Sequence, residues 1–198
     1  MYPNESGDIN TWYAGKLDGT IWGYTTVGIA QTQEEMDAHL ANNKPNWGSK
    51  WGAGDVMYAD LNGDGEGTSG SSTLGDHGDL TVIGNSYARY NFGLTLDGSW
   101  KGLDFSVFLQ GVMKRDYWLS GPYFWGASGD EWQSACFTEH LDYWTPDNPD
   151  AYYPIPYFGG ITKNQQVQTG YLQNAAYLRV KNVQIGYTLP KSWTQKAS

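Results

Sequence analysis

The sequence predicts an all-β protein, and three observations carry that prediction. Trp, Tyr and Phe supply 16% of the 198 residues, and aromatic side chains favour the pleated, half-buried surface of a sheet. Glycine occurs 26 times, among many Asn, Ser and Thr, the punctuation of turns between short strands. From Arg89 onward apolar and polar residues alternate with a period of two, as on a strand with one buried and one wetted face. With 39% hydrophobic residues, a chain of this length supports a modest core in one domain or two.

The elements follow in order. "TIWGYTTVGIA", residues 20 to 30, is rich in β-branched and aromatic residues and reads as a strand. "TQEEMDAHLANN" reads as one short helix: Thr32 is its N-cap, Glu35 completes a capping box, and Met36, Ala38 and Leu40 precede Asn42 and Asn43. "GDVMYADL" then runs in extended form into an Asp/Gly-rich connector, so that residues 55 to 80 form one linking segment.

Residues 89 to 115 give the clearest pattern. Tyr90, Phe92, Leu94 and Leu96 share one face, and after a turn at "DGSWKG" Leu103, Phe105, Val107 and Leu109 continue it. This is a β-hairpin. Residues 116 to 170 show no sustained period and are dense in Trp, Tyr, Pro and Gly; a loop so long is commonly functional, and its aromatic content argues against disorder. The chain returns in a strand over 175 to 189, where Leu178 and Val180 lie out of phase with Val183, Ile185 and Tyr187. A bulge near Lys181 and Asn182 accounts for the shift, and Pro190 ends the strand.

Two architectures suit such a hairpin. In a soluble sandwich the apolar face looks inward. In an outer-membrane barrel it looks out at lipid, and short turns alternate with long loops. The tight turn followed by a loop of some fifty residues leans toward the barrel.

Charge and motifs narrow the function. The net charge of −9 is concentrated in residues 1 to 88, which hold twelve Asp/Glu against three Lys/Arg. That balance disfavours nucleic acid and suits a cation. The single cysteine, Cys136, excludes an internal disulfide and reads as a small buried hydrophobe. The N-terminal "MYPNESGDIN" has neither the basic nor the apolar region of a signal peptide, and no apolar run is long enough for a spanning helix. The chain is therefore expected to lack an export signal of its own.

In "YADLNGDGEGTSGSSTLGDHGDL" the residues Asp60, Asn62 and Asp64 occupy positions 1, 3 and 5 of a calcium-loop pattern, with Gly65 at the sharp turn and the Glu66 carbonyl at position 7. Position 12 is Ser71, which cannot act as a bidentate carboxylate, so Asp76 or Asp79 is expected to fold back and complete a structural Ca2+ shell. The competing reading is a hydrated Asx-rich turn. No organic cofactor is expected: "GEGTSG" matches a phosphate-loop spacing without the flanking strand and helix that give it meaning. His39, His77 and His140 are scattered, the group Glu139, His140 and Asp142 reads as a solvated loop edge, and the adjacent Asp130 and Glu131 do not make a hydrolase pair. No enzyme is expected. Trp118, Tyr123, Trp125, Trp132, Tyr143, Trp144 and Tyr153, in the long loop, are the candidates for contact with a sugar ring or a partner.

The series "GTIWGYTTVGIAQTQEEMDAH", "GDVMYADLNGDG", "DLTVIGNSYARYNFGLTLDGSWKGLDFSVFLQGVMKRDYW" and "YLQNAAYLRVKNVQIGYTLPKSW" resembles, in order and over nearly the whole chain, the SusC/RagA family of TonB-linked outer-membrane transporters of Bacteroidetes. The resemblance implies a late segment of a 22-stranded antiparallel transmembrane β-barrel, with long extracellular loops and one short helix. It further implies a location in the outer-membrane lipid bilayer, a SusD-like surface lipoprotein as partner, and energy from the TonB complex through a plug absent from this chain. The implied cargo is an oligosaccharide, with a peptide as the other possibility. The alternative from another class is a soluble, calcium-stabilised β-domain that binds carbohydrate.

Overall fold

The computed structural model describes residues 4–126, 136–159 and 161–194. Among them run β1 (Thr20–Gly23), β2 (Thr26–Ile29), α1 (Gln33–Leu40), β3 (Val56–Tyr58), β4 (Thr81–Asn85), β5 (Arg89–Trp100), β6 (Leu103–Lys114), β7 (Asp116–Trp118), β8 (Leu172–Asn174) and β9 (Tyr177–Tyr187). The chain divides into two compact units, one of residues 1–86 with 117–173, the other of residues 87–116 with 174–198.

In the first unit β1 pairs antiparallel with β4, and β2 with β3. The expected single strand over 20 to 30 is thus two. The cause is a close crossing: Tyr24 N–H donates to the Val167 carbonyl at 2.8 Å, and Thr169 N–H donates to the Tyr24 carbonyl at 3.0 Å. A Cβ at Gly23 would lie 2.6 Å from that Val167 oxygen, so only glycine admits the crossing segment there.

Helix α1 begins as read. The Thr32 hydroxyl accepts from Glu35 N–H at 3.1 Å, while the Glu35 carboxylate reaches past the cap to Gln31 N–H at 2.6 Å. Met36, fully buried, packs with Ala30 and Met57. Helical turns at Pro122–Trp125 and Lys191–Thr194 add to the one helix expected. The main core gathers Tyr24, Val56, Tyr58, Trp125 and Tyr171. Tyr58 is its hub, edge-on to Tyr24 at 5.7 Å and to Trp47 at 5.5 Å, the geometry that ring quadrupoles favour.

The second unit is one sheet in the order β5-β6-β9, antiparallel throughout. Its hairpin is tighter than "DGSWKG" suggested. Both strands run on to Trp100 and Leu103, leaving Lys101 and Gly102 as the turn, with φ values of 49° and 88°. Two successive positive φ angles match the strand twist in a two-residue hairpin. On β9 the expected bulge is present: Phe108 pairs with Asn182 and Leu109 with Val180, so Lys181 is the extra residue.

That bulge decides the faces. Leu96, Val107 and Val183 form one cross-strand row, and Leu94, Leu109 and Val180 form the next. All six lie on a single apolar face. The opposite face carries Thr95, Asp97, Ser106, Gln110, Arg179, Asn182 and Gln184.

Candidate functional site

The apolar face of β5-β6-β9 lies open. Leu94, Leu96, Phe105, Val180, Val183 and Ile185 are all exposed, Ile185 at 76%. Trp100, Leu103 and Tyr187 form the row at the turn end, and Phe92, Gly111 and Leu178 a row near the other end. The span from Phe92 to Trp100 is roughly 26 Å at about 3.3 Å per residue. At a strand tilt near 40° it covers most of the ~25 Å apolar band of a membrane barrel. A large exposed apolar surface with a polar reverse marks a face that meets lipid or another apolar surface.

In the first unit, the segment around Tyr153 is held between two others. Tyr153 N–H donates to the Asp142 carbonyl at 3.0 Å, Trp144 N–H to the Tyr153 carbonyl at 2.9 Å, and Ile155 N–H to the Gly54 carbonyl at 2.9 Å. Beside it lies a cavity of about 250 Å³, whose walls include Trp125, His140, Tyr143, Tyr153, Ile155 and Tyr157. Among the described residues no Asp, Glu, Lys or Arg lines it. The His140 Nδ1 accepts from Phe137 N–H at 3.0 Å, which leaves the proton of the neutral ring on Nε2. Tyr153 titrates above its ordinary value, first through burial and then through Tyr152, Glu139 and Asp142.

The seven aromatic candidates separate. Trp125, Tyr143 and Tyr153 line the cavity. Trp118 packs on Trp125 at 6.0 Å, and buried Trp144 donates its indole N–H to Gln31 Oε1 at 2.9 Å. Tyr123 is exposed and stacks on Phe137 at 5.7 Å. Trp132 lies outside the described residues, and Cys136, expected to be buried, is exposed instead.

One polar node escaped sequence reasoning. The Lys163 ammonium lies 2.7 Å from Asp55 Oδ2 and 2.9 Å from the Lys50 carbonyl, and 3.8 Å from the Tyr157 ring centroid. Asp55 also accepts from Gly52 N–H at 2.8 Å and the Asn164 amide at 2.8 Å. Every strong acceptor is used, as a buried pair requires. Burial raises Tyr157 to about 12, helped by Asp55. A Lys and an Asp separated by more than a hundred residues offered no local signal.

In the acidic connector, Asp60 accepts from Gly63 N–H at 2.6 Å and Gly65 N–H at 2.9 Å, Asn62 accepts from Asp64 N–H at 3.1 Å, and Asp64 accepts from Glu66 N–H at 2.8 Å. These are successive Asx turns. Asp79, fully buried, bridges the loop ends by accepting from Leu61 N–H at 2.7 Å and Thr68 N–H at 2.9 Å. Asp76 accepts from the Ser71 hydroxyl and amide, which hold its carboxyl below its ordinary range. Among the described residues no three His, Cys, Asp or Glu side chains gather as a metal site.

One exposed apolar face backed by a polar face is consistent with strands from the wall of a β-barrel. The comparisons agree. The chain is similar to TonB-dependent receptor P26 of Formosa agariphila, 28% identical over 172 residues, covering 85% of this chain and 15% of the relative. It is also similar to TonB-dependent receptor P3 of the same organism, 26% identical over 184 residues, covering 92% and 16%. No protein-family model matches. The solved RagAB peptide importer in its open-open state shares the fold at a TM-score of 0.55 and 22% identity, over 98% of this chain and 18% of that one. The resemblance to TonB-linked receptors holds over most of the chain, which spans about one sixth of the length of the curated relatives it matches and has no helix, among the described residues, able to cross a membrane.

Proposed function

We propose that this chain is a late barrel segment, with its external loops, of a TonB-dependent outer-membrane nutrient importer that is not itself an enzyme. Its cargo in this reading is an oligosaccharide, its partner a SusD-like surface lipoprotein, and its energy comes from the TonB complex through a plug carried elsewhere in the protein. The exposed apolar face of β5-β6-β9 is the observation that supports it. A soluble sandwich requires that face to be covered. The name of the RagAB neighbour, a peptide importer, favours a peptide as a second reading of the cargo.

Deletion of the gene that carries this segment, in cells fed labelled oligosaccharide or labelled peptide, tests the proposal. Loss of energy-dependent uptake of the oligosaccharide alone supports it, loss of peptide uptake alone moves the cargo to the second reading, and unchanged uptake of both removes the importer. Calcium at Asp60, Asn62 and Asp64 stays a proposal supported by the D-x-N-x-D-G spacing. Calorimetric titration into chelator-treated protein decides it, and absence of heat at millimolar calcium removes it.

A further inference from the structure

The acidic connector holds the one Asn-Gly pair in the chain, Asn62-Gly63, and both residues are exposed. A glycine after an asparagine leaves the peptide nitrogen open to the asparagine side chain, because no Cβ stands beside it. Gly63 has φ +78°, and a Cβ built there would meet nothing within 4 Å. The one Asn-Ser pair, Asn85-Ser86, contrasts with it: Asn85 is buried, and its side-chain amide donates to the Asp18 carbonyl at 2.8 Å.

The loop supplies each group that an attack of the Gly63 nitrogen on Asn62 Cγ requires. Asn62 Oδ1 accepts from Asp64 N–H at 3.1 Å, which folds the side chain over the peptide to Gly63. The same donor serves the oxygen that gains charge during the attack. Gly63 N–H donates to Asp60 Oδ1 at 2.6 Å, the reach of a positioned base. Asn62 Nδ2, the leaving nitrogen, donates to Asp64 Oδ2 at 2.7 Å. Nucleophile, reacting carbon and base thus share one turn, and the step is intramolecular.

We propose that Asn62 is a self-modification site, at which the connector converts its own asparagine to aspartate and isoaspartate. The Gly63 nitrogen bonds to Asn62 Cγ as its proton passes to Asp60 Oδ1. The Cγ–Nδ2 bond then breaks, and the nitrogen takes up that proton, relayed by water, and leaves as ammonia. Water adds to one carbonyl of the resulting succinimide ring: addition at Cγ opens it to aspartate, and addition at the main-chain carbon opens it to isoaspartate. Nothing is oxidised or reduced. Either product sets a third carboxylate between Asp60 and Asp64, and isoaspartate also lengthens the main chain by one carbon. Asp79 holds the amides of Leu61 and Thr68 on either side, which confines the change to the residues between them. The proposal depends neither on the importer reading nor on calcium.

Storage of the full chain at neutral pH with a chelator tests it, read by peptide mass spectrometry that separates asparagine, aspartate and isoaspartate at position 62. Asn62 is expected to convert before every other asparagine, and about tenfold faster in the folded chain than in the chain unfolded in urea. Asp60→Asn keeps an acceptor for Gly63 N–H and removes the base, so it should bring the folded rate down to the unfolded one while leaving the unfolded rate unchanged. Asp64→Ser removes the acceptor of the leaving nitrogen and should also slow the folded chain; it replaces Asp60→Asn if that variant loses its native circular dichroism. A folded rate equal to or below the unfolded one, an unchanged rate in the folded variant, or another asparagine converting first overturns the proposal.

Discussion

Lys163 Nζ and Asp55 Oδ2 lie 2.7 Å apart, with side chains 3% and 0% exposed. The pair joins the segment before β3 to the segment before β8, and the Tyr58 hydroxyl adds a second tie by donating to the Lys163 carbonyl at 2.7 Å. Asp55→Ala leaves a buried ammonium without its counterion and should cost about 3–5 kcal/mol. The double variant Asp55→Leu, Lys163→Met should cost less than Asp55→Ala alone. Urea denaturation of the three proteins checks this, and a double variant as unstable as the single one overturns the account.

Gly54 has φ +86°, and a Cβ there would come 2.5 Å from the Trp144 ring and 2.8 Å from Ile155. Gly54→Ala should therefore destabilise by about 1–3 kcal/mol through backbone strain, with further loss where the Trp144 ring cannot move. Thermal melting followed by Trp fluorescence measures the effect. No change would mean that the turn relaxes freely.

Val183 belongs to the row with Leu96 and Val107, midway along the apolar face, and Gln184 pairs with Ser106 on the other. If the proposed barrel reading holds, Val183→Arg in the full-length protein folded into lipid vesicles should cost about 2–4 kcal/mol. Gln184→Arg should cost much less. Equal costs would contradict the assignment of faces.

Tyr24 and Tyr157 are raised from the ordinary 10.0 to about 12, in both cases mainly by burial, and burial moves Tyr58 and Tyr171 the same way. A phenol whose pKa is higher folded than unfolded contributes stability that is complete below pH 10.0 and lost as pH rises toward about 12. Absorbance titration should show these tyrosines ionising late and together with unfolding. Early, independent ionisation would show that they are not buried.

His39 shifts the other way, lowered first by burial. Its contribution is present above its ordinary 6.5 and is lost as pH falls through the depressed value. His39→Gln should flatten the acid limb of the stability curve, and an unchanged limb would place its origin elsewhere.

Local patterns predicted local structure well. Thr32 and Glu35 announced the helix start, and the phase change between Val180 and Val183 announced the bulge at Lys181, because each depends on the backbone geometry of a few neighbouring residues. The split at Tyr24 was hidden, since it is caused by residues 167–169 arriving from the far end of the chain. Composition marked the 116–170 loop as aromatic without separating Tyr153, which lines the cavity, from Trp144, which faces Gln31. The spacing of the acidic connector did not reveal that Asp76 accepts from the Ser71 amide and Asp79 from the amides of Leu61 and Thr68.

Sequence alone was sufficient for the mostly β character, the hairpin and the division of its side chains between two faces, because alternation along a strand is a property of the strand itself. The folded chain alone revealed that the apolar face is uncovered, that Lys163 meets Asp55, and which rings enclose a cavity. Those features arise from contacts between residues far apart in sequence, whose pairing depends on the closure of long loops and the packing of the core, and no local period encodes them.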